Sequence, residues 1–134
     1  MVSDYNIKTL SSIDNFTARI GVASNTAIAN GTNLTQDFDV RRLSKFTLLL
    51  QATGALTISV LLSPDATNWY PWSAPDGTKE QFALSTTNKV AISLTETHAK
   101  EGEVWLVAPY MRIEIANSSG ASVTLTDGFL CGRE

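Results

Sequence analysis

Two stretches of the chain alternate more regularly than any other. Phe46, Leu48, Leu50 and Ala52 recur at every second position, and so do Leu56, Ile58, Val60 and Leu62. A period of two places each set on one face of a β-strand. Thr53-Gly54-Ala55 separates them, and a turn that short, with a glycine available for positive φ, predicts a hairpin. Leu49 and Leu61 fall on the opposite faces of the same strands. A strand that is apolar on both faces is either central in its sheet or covered by another chain.

Weaker alternations extend the pattern. In 16–22, Phe16, Ala18 and Ile20 alternate with Thr17, Arg19 and Gly21. Residues 23–34 are Ala, Ser, Asn, Gly and Thr with few exceptions and predict a loop. In 36–40, Asp37 and Asp39 oppose Phe38 and Val40, so one strand face is acidic and solvated and the other apolar. A long loop over 63–79 holds three of the four prolines and the turn dipeptide Asp76-Gly77. A strand near 80–84 and a turn at Thr86-Thr87-Asn88 lead to a strand with Val90, Ile92 and Leu94 inward. Residues 95–101 predict one helical turn capped by Thr95. A strand over 103–108 ends at Pro109. Met111, Ile113 and Ile115 then alternate with Tyr110, Arg112 and Glu114, and Asn117-Ser118-Ser119-Gly120 reverses the chain. Residues 122–130 return with Val123 and Leu125 inward, and Gly128 marks a bulge.

About eight strands at this spacing predict an all-β fold, an antiparallel β-sandwich of jelly-roll-like type. Residues 16–134 form a single β-sandwich domain, and residues 1–15 form an N-terminal arm with a short strand at 5–10. The expected core is Phe46, Leu48, Leu50, Leu56, Ile58, Val60, Val90, Ile92, Ile113 and Val123. The 134 residues carry 43% hydrophobic and 17% charged positions, which excludes disorder and allows a real core.

Charge and cysteine content remove several function classes. The net charge is −3, and Arg41-Arg42 is the only basic pair, so a nucleic-acid partner is not expected. Leu48-Leu49-Leu50 is far too short to cross a bilayer, so no membrane partner is expected. The start, Met-Val-Ser-Asp-Tyr, lacks a signal-peptide pattern, which predicts a soluble protein made in a cytoplasm. The Asn-x-Ser/Thr triplets at Asn15, Asn30, Asn33 and Asn117 then reflect turns rather than glycosylation.

Catalytic chemistry finds little to build on. His98 and Cys131 are each the single residue of their kind. A disulfide or a cysteine zinc site is therefore impossible within the chain, and no nucleophile–base pair is in evidence. Asp37 and Asp39 lie two apart but read as a solvated face rather than a glycosidase pair. Neither a dinucleotide fingerprint nor a P-loop occurs, so no cofactor is expected. The reading is non-enzymatic.

Trp69, Tyr70 and Trp72 are the residues that ask for a use. They sit in the turn-rich segment Ser63-Pro64-Asp65-Ala66-Thr67-Asn68-Trp69-Tyr70-Pro71-Trp72. Three uses are open: a plug for one end of the sandwich, an anchor in a protein interface, or a platform for stacking sugar rings. With Leu49, Leu61 and Tyr5 of the arm they make up the candidate interface or ligand-contact set.

Leu62-Ser63-Pro64-Asp65-Ala66-Thr67-Asn68-Trp69-Tyr70, followed by Ala108-Pro109-Tyr110-Met111-Arg112-Ile113-Glu114-Ile115-Ala116-Asn117-Ser118-Ser119-Gly120-Ala121-Ser122-Val123-Thr124-Leu125, resembles small β-sandwich domains of tailed-bacteriophage virion proteins. In those domains a strand ends in S-x-D-x-x-N-W, and a Y-x-R-x-x-x-x-N strand turns through small residues into the last strand. The resemblance runs from Phe46 to the C-terminus and leaves out the first 45 residues. It implies a virion structural protein of capsid-decoration, head-fibre or tail type, and supplies no catalytic residue. The expectation is a capsid decoration (cement) protein located in the virion, stabilising the particle by mass action. Its partners would be itself, as a trimer or other closed homo-oligomer, and a major capsid or other virion protein. The alternative is a carbohydrate-binding or host-recognition module of a phage tail, with a glycan as partner.

Overall fold

The computed structural model describes residues 7–9, 15–21, 25–40, 45–72, 81–85, 87–94 and 108–133. They form eleven strands and, among the described residues, no helix. In chain order these are β1 (Ile7–Thr9), β2 (Asn15–Arg19), β3 (Thr26–Ile28), β4 (Asn33–Asp39), β5 (Lys45–Ala52), β6 (Leu56–Ser63), β7 (Tyr70–Pro71), β8 (Gln81–Leu84), β9 (Val90–Ser93), β10 (Tyr110–Ala116) and β11 (Val123–Arg133). They make two sheets. One has the order β1-β4-β10-β6-β7, with β8 following β7 along the same edge of β6. The other has the order β2-β11-β5-β9, with β3 beside β11. Pairing is antiparallel except between β1 and β4. The all-β sandwich is as expected, and the strand count rises from about eight to eleven because several strands are only two or three residues long.

The apolar face of each strand closes the space between the sheets. Phe46, Leu48, Leu50 and Ala52 of β5 meet Leu56, Ile58 and Val60 of β6, with Phe38, Met111, Ile113, Ile115, Val123, Leu125 and Leu130 around them, all buried. Val90 and Ile92 are only half-buried because β9 lies at a sheet margin.

The expected hairpin at Thr53-Gly54-Ala55 is instead an arch. β5 and β6 belong to different sheets, so this turn carries the chain across the sandwich. Period-two alternation is the same in either case, since each strand shows only its own apolar face. Crossing stacks the two faces against each other, whereas a hairpin would set them side by side and leave both uncovered. The turn is tied to β11: Thr53 N donates to Thr124 O at 2.9 Å, and Thr124 N donates to Thr53 Oγ1 at 2.9 Å.

The reversal at Asn117-Ser118-Ser119-Gly120 is a second arch, from β10 to β11. Buried Asn117 holds it, donating from Nδ2 to Ile28 O (2.8 Å) and Ala121 O (2.7 Å) and accepting at Oδ1 from Ser119 N (3.0 Å). Gly120 takes φ +95°, where a side chain is strained, and its N–H donates to Asn30 Oδ1 at 2.9 Å.

Two further expectations change. Residues 23–34 are not all loop: β3 and the start of β4 fall there. Their pairing with β11 and β10 is non-local and overrides a turn-like composition. The bulge lies between Leu125 and Asp127 rather than at Gly128. Gly128 is a close-approach position: a Cβ there would stand 2.8 Å from Leu125 Cδ2 and 3.3 Å from Ile20 Cβ. The helical turn at 95–101, nearly all of the strand at 103–108, Asp76-Gly77, His98 and Trp105 lie outside the described residues. Of the N-terminal arm, Ile7–Thr9 add in parallel to β4 of the chain's own sheet.

Candidate functional site

The aromatic segment leaves β6 at Ser63 and enters β7 at Tyr70, and its course is fixed by a single carboxylate. Asp65 accepts from Thr67 N (2.9 Å), Asn68 N (2.9 Å), Asn68 Nδ2 (2.8 Å) and Ser63 Oγ (3.0 Å). Ser63 Oγ in turn accepts from Ala66 N at 2.8 Å. The backbone N–H groups of Asn68 and Thr67, followed by the Asn68 side chain, hold the Asp65 carboxyl well below the usual carboxylate range. The cage bends Ala66 to φ 63°, a conformation uncommon for a residue with a side chain. The Ser, Asp and Asn of the S-x-D-x-x-N-W pattern are thus the working parts of one turn.

Strand alternation then sorts the aromatics. Pro71 pairs with Leu61, and Leu61 with Arg112, in a row that also includes Asp37 on the outer face of the six-stranded sheet. Trp69 lies on this face with its ring under the Arg112 guanidinium, Cζ 4.2 Å from the centroid. Arg112 grips Asp37 through Nε–Oδ1 (2.6 Å) and Nη2–Oδ2 (3.0 Å). Those hydrogen bonds raise the already high pKa of Arg112. Asp37 is only 2% exposed. The expectation of a solvated acidic face is therefore corrected: Asp37 and Asp39 are both buried, and Asp37 is neutralised in place by a bidentate arginine.

Tyr70 and Trp72 point the other way. Trp72 is 6% exposed, donates its backbone N–H to Val60 O at 2.9 Å, and packs its ring 6.2 Å from that of Phe82. It is the plug. Tyr70 pairs with Leu62 at the margin of the sheet and is 62% exposed. The three aromatics that look equivalent in sequence have three roles: core plug, cation-backed wall and exposed ring.

Of the other candidates, Leu61 is half-buried in the row beside Arg112. Leu49 is 37% exposed, but on the outer face of the opposite sheet, so it is no part of this site. Tyr5 lies outside the described residues. Sequence reasoning missed Asp37 and Arg112 as site residues. Their signals were an acidic residue and a basic residue each on the polar face of an alternating strand, and for Arg112 its place as the Arg of the Y-x-R-x-x-x-x-N pattern. Among the described residues no cluster of His, Cys, Asp and Glu could hold a metal ion.

The outer face of the five-stranded sheet has a different character. Arg19 lies over the Phe129 ring, Cζ 4.8 Å from its centroid. Its enclosed Nη1 has no hydrogen-bond partner among the described residues, so the aromatic face is its compensation.

No protein-family model and no curated protein matches the chain. Among solved structures it is similar to three carbohydrate-binding modules. The first is the CBM36-1 domain of a multidomain xylanase from the hindgut metagenome of Trinervitermes trinervoides, with TM-score 0.49 and 11% identity over 90% of this chain and 98% of that one. The second is a family 6 carbohydrate-binding module, with TM-score 0.46 and 13% identity over 96% and 98%. The third is a CBM36 module in complex with calcium and xylotriose, with TM-score 0.44 and 10% identity over 87% and 98%.

Proposed function

We propose that the protein is a non-catalytic binding module that takes carbohydrate at the Tyr70 margin of its six-stranded sheet. The observation that carries this is the state of Tyr70. A tyrosine ring that is 62% exposed stands on a strand-paired backbone directly after a loop locked by Asp65. Such a ring offers an apolar face with a polar tip, and its backbone is already held in the sheet, so little main-chain freedom is lost when a ligand stacks on it. Trp69, one residue before and on the opposite face, stacks under Arg112 and so helps to hold the loop that leads into Tyr70.

Affinity electrophoresis through gels cast with soluble neutral polysaccharides, followed by calorimetry on the best retardant, tests the reading. The wild type should be retarded by at least one polysaccharide, and Tyr70→Ala should lose about tenfold or more in affinity, as truncation of an anchoring aromatic does. Retardation by none, or unchanged affinity in Tyr70→Ala, overturns it.

A second reading is a virion structural protein that decorates a capsid. Leu49 supports it: an exposed leucine in the middle of an outer sheet face suits contact with protein and not with sugar. Purified chain that binds phage particles and raises their melting temperature would favour this reading. Polysaccharide binding without any effect on particles would favour the first.

A further inference from the structure

We propose that the outer face of the five-stranded sheet is a self-association surface, occupied by a second copy of this chain across a two-fold axis. The face carries a half-open hollow of about 350 Å³, lined chiefly by Leu49, Lys89, Val90, Ala91, Asp127 and Phe129. The strand register orders these residues into rows. Phe129 of β11 is opposite Leu49 of β5, and Leu49 is opposite Ala91 of β9. One step along the same face, Asp127 is opposite Gln51 of β5, and Lys89 stands on the far side, two residues before Ala91. Within each row the residues flanking β5 are unlike and stand about an equal distance from it, one strand spacing of ~4.8 Å to either side, and Arg19 of β2 lies over Phe129 one strand farther out.

A two-fold axis along β5, lying between two stacked copies, exchanges the β11 side of one copy with the β9 side of the other. Leu49 then meets Leu49 of the second copy on the axis. Phe129 of each copy lies over the other's Ala91, a large side chain over a small one, which is the condition for interdigitation. Asp127 of each copy lies over the other's Lys89, giving two reciprocal ion pairs. A self-complementary patch of this kind is what an isologous interface requires. The occupant is argued from this complementarity in both charge and size. A sugar or an unrelated peptide would have no reason to match both rows at once. The surface lies on the sheet opposite Tyr70, so the proposal stands apart from the carbohydrate reading.

The test is sedimentation velocity on the full chain across the micromolar range, with circular dichroism confirming the fold of each variant. The wild type should dimerise reversibly. Lys89→Asp alone sets two carboxylates against each other at both ends, and Asp127→Lys alone sets two ammonium groups; each should weaken dimerisation ~10-fold or more. The double variant Lys89→Asp/Asp127→Lys exchanges the partners and should recover most of the loss. Leu49→Arg, which puts two guanidinium groups on the axis, should be monomeric. Alkylation of Cys131, on the same face as Phe129, gives an independent reading. Its rate should fall as wild-type concentration rises and stay flat in Leu49→Arg. A wild type that stays monomeric, single reversals that dimerise as well as the wild type, a double variant that fails to recover, or a concentration-independent Cys131 rate in the wild type would each overturn the proposal.

Discussion

Asp37 shows how much a single residue's meaning depends on a partner far away in sequence. In the chain it is an acidic position on an alternating strand, and solvation is the natural reading. In the fold it is buried and held by Arg112, 75 residues later. Nothing local in 36–40 announces this, because cross-strand register is set by the whole sheet. The pair also makes a prediction. Arg112→Met leaves a buried carboxylate uncompensated and removes the guanidinium from the Trp69 ring. Loss of one partner of a buried pair costs about 3–5 kcal/mol, and the result should lie toward the lower end because Arg112 keeps partial access to water. Adding Asp37→Asn to Arg112→Met should restore part of the loss in urea denaturation. A loss well under 1 kcal/mol, on a scale where ~0–1 is typical of surface pairs, would show that Asp37 is solvated after all. Gly128→Ala should destabilise by about 1–3 kcal/mol, since the new methyl group meets Leu125 and the less yielding Ile20 backbone-proximal Cβ.

At the scale of elements, the strands were legible and their connections were not. β5 and β6 follow from alternation alone, with Leu50 inward and Leu49 outward as expected. Whether Thr53-Gly54-Ala55 pairs them or crosses them between sheets depends on β10 and β11, which arrive much later in the chain. The same limit applied to the reversal at Asn117 and to β3. The aromatic segment was legible as a site but not in its division of roles, because Tyr70 and Trp72 differ only in how far along the sheet margin they fall. Leu50→Ala should cost roughly 2–5 kcal/mol in urea denaturation, the range for a packed leucine, and Leu49→Ala much less under dilute conditions. The Asp65 turn predicts a pH dependence. Its carboxyl is held below the ordinary value of 3.8 by donors that recognise only the ionised form. Its contribution is therefore complete above that ordinary value and is lost as pH falls through the lower, folded value. The Tyr70 environment, followed by near-ultraviolet circular dichroism, should be constant from neutral pH down to mild acid and change only in stronger acid. Asp65→Ala should show the acid-like spectrum already at neutral pH, and a wild-type transition near neutrality would contradict the cage.

At the scale of the whole molecule, the arches decide how the protein unfolds. From β4 onward the chain passes repeatedly between the two sheets: β5 lies in one, β6 in the other, β9 in the first again, then β10 and β11 in opposite sheets. Neither sheet is a contiguous piece of sequence. Each presents an apolar face that only the other can cover, so neither can persist alone. Loss of either layer exposes Leu48, Leu50, Ile58 and Ile113 together. Unfolding should therefore be all-or-none, as is usual for a single domain of this size. Tryptophan fluorescence, to which Trp72 contributes from inside the core, and far-ultraviolet circular dichroism should trace coincident urea transitions. Folding should be slow for the chain's length. The neighbours of the longest strand, β11, are β2, β3 and β5, all far back in the sequence, and loop-closure entropy must be met before those pairings form. Stopped-flow refolding should give a main phase in the millisecond-to-second range typical of sandwiches rich in non-local contacts. Two separated equilibrium transitions, one for each probe, would mean that one layer survives without the other and that the crossing of the chain between sheets does not couple them.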